Sequence, residues 1–173
     1  MYVYFITPDY LRKNTVIGDN VDSTIIGALI KTSADTFVRT YLGTYFYNDL
    51  ITKYNSQSLS ADEVTLVQDY IQSAVAWRAV AESIISTTYE IKNKGVQQQS
   101  GEYSNAPEFR VIPFVHDQYK DKADFYDNRL VEYLKRNKDL YPVFLSDANY
   151  DSRIKATCCS SKPDTFQSGI LFI

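Results

Sequence analysis

"SADEVTLVQDYIQSAVAWRAVAESII", residues 60–85, decides how the rest of the chain reads. Ser60 and Glu63 stand ahead of an apolar run in the pattern where a hydroxyl and a carboxylate satisfy each other's backbone donors at a helix start. Two apolar stripes follow at helical spacing. One is Val64, Val67, Ile71, Ala74, Ala81 and Ile85; the other is Leu66, Tyr70, Trp77, Val80 and Ile84. A helix with two stripes packs on two sides, so this one is expected at the centre of a bundle. Arg78 interrupts the first stripe, and either points out of the core or pairs with an acid.

Upstream, Thr7, Pro8 and Asp9 open a short helix to about Asn14: a capping hydroxyl, a proline in the first turn, an acid near the positive dipole end. "VIGDNVDS" reads as a loop, with Asp22 or Ser23 capping the next helix. Its face is Ile26, Ile30, Ala34, Phe37 and Tyr41, and Gly43 ends it where a left-handed residue is wanted. A further helix carries Tyr45, Phe46, Leu50, Ile51 and Tyr54 before "NSQSLS" breaks the pattern.

Downstream, Pro107 and Pro113 mark the approach to a last long helix. Its buried face is Val115, Tyr119, Ala123, Tyr126, Leu130 and Tyr133 or Leu134, with Asp117, Lys120, Asp121, Asp124, Asp127 and Arg129 mainly off that face. Pro142 stops it. The expected fold is therefore mainly all-α: an antiparallel helical bundle of two long and two or three short helices over residues 1–141. Residues 142–173 form a non-helical C-terminal arm with short β-like runs ending in "SGILFI". Between the long helices lies an extended loop, "YEIKNKGVQQQSGEYSNAP" (residues 89–107), polar and far longer than a helix–helix turn requires. Lys92, Lys94, Gly95, Val96, Gln97, Gln98 and Gln99 are candidate interaction residues there, in a finger expected to be disordered alone and ordered by assembly.

The chain ends raise a related question. "YVYFI" (residues 2–6) and "ILFI" (Ile170, Leu171, Phe172 and Ile173) are uncharged and rich in β-branched and aromatic residues, so something must cover them. Each end either docks on its own bundle or, for the arm, pairs as an added strand with an adjacent protein.

Composition argues against several function classes. The chain has 173 residues, enough for one domain with its own core. A net charge of −3 offers no basic stripe for binding along nucleic acid. The opening residues lack a signal-peptide pattern, and no apolar run approaches membrane length. Cys158 and Cys159 are adjacent and cannot form a disulfide framework, which points to a reducing cytosol. Fifteen tyrosines against nine phenylalanines are either an interface signature or a compositional bias.

His116, the single histidine, has no nucleophile motif to serve and reads as a structural or surface residue. One histidine and two vicinal cysteines have no metal-ligand spacing. Asp117, Asp121 and Asp124 share a helical spacing, but Lys120 and Lys122 among them mark a solvated face. Gly95 and Gly101 lack a phosphate-loop signature. The expectation is a protein without catalytic site, metal or cofactor.

The order "ITPDYLRKNTVIGDNVD", "RTYLGTYFYNDL", "LSADEVTLVQDYIQSAVAWRAVAESI", "EIKNKGV" and "DKADFYDNRLVEYLKRN" resembles the head–tail connector proteins of tailed phages, nearest to those of crAss-like and related Bacteroidota phages. The likeness spans about residues 5 to 141. It implies a structural virion protein, assembled in the host bacterial cytoplasm and located in the neck. Such proteins form a ring, usually of twelve copies, between the portal protein and the next neck or tail component. DNA passes through the channel without specific binding, and no membrane is involved. A stopper or tail-completion protein, and a small helical DNA-packaging accessory protein, are the alternatives.

Overall fold

The computed structural model describes residues 3–92, 95–98 and 111–145. It is a helical bundle. The capping box forms as the sequence requires: Glu63 N–H donates to Ser60 Oγ, and Ser60 N–H donates to Glu63 Oε2 at 2.9 Å. It opens α5 (Ala61–Thr65), which passes through a π-helical stretch, Leu66–Ile71, into α6 (Gln72–Thr88) without a break. Val67, Ile71, Ala74, Ala79 and Ala81 are buried along it, as are Leu66 and Val80.

α7 (Val111–Arg136) lies antiparallel against it. Tyr70 meets Tyr133, Trp77 meets Tyr126 and then Tyr119, and Arg78 meets Asp124, so the partner's number falls as that of α6 rises. Ala123, Leu130 and Leu134 are buried at this seam. The second neighbour of α6 is α2 (Ser23–Ser33), continued by a π-helical stretch, Ala34–Val38, and by α3 (Arg39–Leu42). Asp22 caps α2 by accepting from Thr24 N–H. Gly43 ends α3 at φ 82°, where a Cβ would be strained, and α4 (Thr44–Asn55) starts at once. The central position expected from two stripes is what the structure shows.

The start of the described chain docks on its own bundle. Phe5 is fully buried between Tyr47 and Tyr54, and Gln72 Nε2 donates to its carbonyl at 2.9 Å. Its φ of 65° is unusual for a bulky residue and is held by this packing. α1 (Pro8–Asn14) follows, capped by Thr7 through Tyr10 N–H.

Several expectations need correction. Asp127, assigned to the solvent side of α7, is buried; Ile85, assigned to a buried stripe, is 48 % exposed. In α4 Tyr45 points to solvent, and Tyr47 is buried instead, donating to Asp35 Oδ1 at 2.8 Å. Pro142 does not end helical structure. After α7 and a 3-10 turn, Lys138–Leu140, it begins α8 (Pro142–Leu145). Tyr141 and Phe144 both pack on Phe46, and the Tyr141 hydroxyl donates to the Asp62 carbonyl at 3.0 Å, so the bundle runs on past Tyr141. Part of the connection between the long helices, expected as an extended loop, is a β-hairpin. β1 (Tyr89–Lys92) pairs antiparallel with β2 (Gly95–Gln98) in the register Tyr89↔Gln98 to Lys92↔Gly95.

Candidate functional site: the α2–α6 groove and the hairpin beside it

Between α2 and the last turns of α6 lies an open apolar groove of about 620 Å3. Ile25, Ala28, Leu29 and Thr32 form one wall; Glu82, Ile85, Ser86 and Tyr89 form the other. Glu82, Ile85 and Ser86 follow at three- and four-residue spacing and share one face of α6; Tyr89, the first residue of β1, extends that wall. The Tyr89 hydroxyl is buried, and among the described residues it has no hydrogen-bond partner. The hairpin therefore leaves the bundle at one end of the groove, with the β1 backbone as a continuation of its wall.

A second feature fixes α7 against α6. Arg78 Nη2 donates to Asp124 Oδ1 at 2.6 Å and to Asp127 Oδ2, and the Phe37 ring lies 4.1 Å from the guanidinium carbon. The Tyr41 hydroxyl donates to Asp127 Oδ2 at 3.3 Å. Of the two alternatives open for Arg78, pairing with acids is the one realised. Burial pushes the Asp127 carboxyl above its usual value, against the pull of Arg78. Burial also raises Tyr41 to about 12, with the Asp127 charge adding to it. The shifts belong to a sealed interhelical network; Arg78 and Asp127 are both nearly fully buried, out of reach of a substrate.

Among the candidate interaction residues, Lys92 ends β1, and Gly95, Val96, Gln97 and Gln98 make up β2. Lys94 and Gln99 lie outside the described residues, as do Ile170, Leu171, Phe172, Ile173, Cys158 and Cys159. The structure thus brings five of the predicted loop residues onto one hairpin next to the groove. His116 is half-buried on α7, with Nδ1 3.5 Å from Asp117 Oδ1. Asp124 is drawn to Arg78 rather than grouped with Asp117 and Asp121, and among the described residues no cluster of His, Cys, Asp or Glu could hold a metal ion. Nor is any described helix long and apolar enough to cross a membrane.

The groove itself escaped the sequence reading. Ile25 sits one position off the face read for α2, and Ile85 was absorbed into a core stripe. Each was a signal: an apolar residue that the buried face did not need.

Residues 38–154, more than half of the chain, match a family of unknown function (DUF6712), and the protein belongs to that family. No curated protein and no solved structure matches the chain.

Proposed function

We propose that the protein is a structural component of a tailed-phage neck, forming a ring beneath the portal that joins capsid to tail and extends the DNA channel. The sequence resemblance over about residues 5 to 141 motivates this reading. The observation that carries it in the structure is that, among the described residues, separate exposed apolar surfaces lie on different sides of one helix, α6. The groove is lined from α2 and α6, and a second surface around Phe125 from α6 and α7; they have no lining residue in common. A subunit of a closed ring needs two unlike faces, because each copy contacts its neighbours head to tail. The net charge of −3 also suits a conduit, since a strongly positive wall would hold DNA phosphates in place.

The hairpin is the element best placed to reach a neighbouring component, since it projects from the bundle where α6 ends. Electron microscopy of intact virions tests the reading. A ring of this protein on the portal is expected. Its absence from the particle, or its dispersal over the shell, would end the proposal; a position lower in the neck would favour a stopper or tail-completion role.

A further inference from the structure

The two exposed apolar surfaces are unlike in charge. In the groove, Ile25 is 44 % and Ile85 48 % exposed. Its wall carries one carboxylate, Glu82, with no ion pair among the described residues. On α7, Lys122, Phe125 and Arg129 follow at three- and four-residue spacing and so stand on one face. Phe125 is 62 % exposed. Among the described residues neither cation has a carboxylate partner. Lys122 Nζ lies 4.9 Å from the Tyr119 ring centre, and the Arg129 guanidinium lies 4.9 Å from that of Tyr70. One surface is a concave apolar trough with a single acid, Glu82, in its wall; the other is an exposed phenylalanine flanked by two cations, Lys122 and Arg129, and one acid, Asp121.

We propose that the α2–α6 groove of one copy receives the Lys122–Phe125–Arg129 stripe of a second copy. Phe125 enters between Ile25 and Ile85, and a flanking cation pairs with Glu82. Burial of an exposed phenylalanine supplies attraction, and the charges fix direction. The contact is heterologous: a copy whose groove is filled still offers its stripe, so association continues until the copies close on themselves. This deepens the ring reading and rests on it only for that closure.

Directed cross-linking tests the contact even where it is weak. In a Cys158→Ser, Cys159→Ser background, Ser86→Cys and Asn128→Cys variants, which keep Ile85 and Phe125 in place beside the new thiols, are mixed at high concentration and treated with a short bis-maleimide. The mixed product is expected to exceed either homodimer about tenfold, and the protein carrying both cysteines should give a ladder of higher oligomers. Adding Glu82→Lys should reduce both products severalfold. Homodimers at equal yield, or no more mixed product than with Asp139→Cys in place of Ser86→Cys, would overturn the contact. A virion ring closed through other faces would also overturn it while leaving the ring intact; a chain that cross-links as expected but is absent from virions would sink the neck reading and leave the contact.

Discussion

Arg78 and Asp127 meet between α6 and α7 with side chains only 5 % and 4 % exposed. The pair is incompletely satisfied, because Arg78 Nε and Asp127 Oδ1 are buried without partners. Such a pair contributes more to the register of two helices than to net stability, since desolvating both charges offsets much of their attraction. The neighbouring aromatic contacts repeat the same antiparallel register, Tyr70 on Tyr133 at 4.0 Å and Trp77 on Tyr126 at 6.1 Å between ring centres.

Removing one charge should therefore hurt far more than removing both. Arg78→Ala leaves Asp127 buried with only the Tyr41 hydroxyl, and the expected loss is about 3–5 kcal/mol in denaturant unfolding. Arg78→Met combined with Asp127→Leu keeps volume without charge and should cost much less. Equal losses in the two proteins would show that the packing of the stem, rather than the ion pair, matters here.

The pH dependence follows from groups shifted in opposite directions. Burial tends to raise Glu63, but hydrogen bonds from Lys53 and Ser60 outweigh it and hold the carboxyl below its ordinary 4.5. Its stabilising contribution is present above the unfolded value and lost as pH falls through the folded one, below about 4.5. Glu63→Gln should flatten this acid limb. Tyr41, raised chiefly by burial to about 12, contributes stability that is complete below 10 and lost as pH rises toward 12. Tyr41→Phe should soften the alkaline limb. Asp127 is raised, so ionising it in the folded state costs stability, and it does not drive acid unfolding. Thermal melts between pH 3 and 11 check all three signs.

Trp77, the single tryptophan, is a built-in reporter of the α6–α7 seam. Its ring stacks on Tyr126 at an interplanar angle of 3°, and Lys122 Nζ lies 5.2 Å from its centre. Tyr126→Ala should shift Trp77 emission to the red and lower stability by about 2 kcal/mol, less than the ~3–5 kcal/mol for truncating a buried aromatic, because Tyr126 is only partly buried. An unchanged spectrum would place Trp77 away from that ring.

How far the sequence carried depended on how local each signal is. Caps are local: Thr7 and Ser60 were legible from a few neighbouring residues, and the cap of α2 was narrowed to Asp22 or Ser23, of which Asp22 fills it. The two-sided packing of α6 was legible because periodicity is a property of one helix. The burial of Asp127 was not: an aspartate reads as solvent-facing until a specific arginine 49 residues away is known to meet it. Tyr45 and Tyr47 exchanged roles because both fit an amphipathic pattern loosely, and Asp35 decides which hydroxyl finds a partner. The hairpin was hidden by its polarity, since strands that lack an alternating apolar pattern resemble a loop. The groove was hidden because it is where a stripe stops being covered, and no periodicity records that.

The hairpin carries the last prediction. A two-stranded ribbon is marginal in water by itself, but β1 follows directly from α6 and begins at the half-buried Tyr89, which anchors one end. Amides of residues 90–92 and 95–98 should then exchange more slowly than those of an open loop and faster than those in the middle of α6, as expected for a unit that opens without global unfolding. Exchange at the open-chain rate would restore the picture of a finger ordered only by assembly. Deleting residues 90–98 separates order from function. Because the described residues of the hairpin pair strand to strand, the shortened protein should keep its helical circular dichroism and its melting temperature within a few degrees. If the hairpin is the element that reaches the neighbouring neck component, that folded protein should be missing from purified particles. Normal incorporation would instead leave the groove and the α7 stripe as the only contacts needed for assembly.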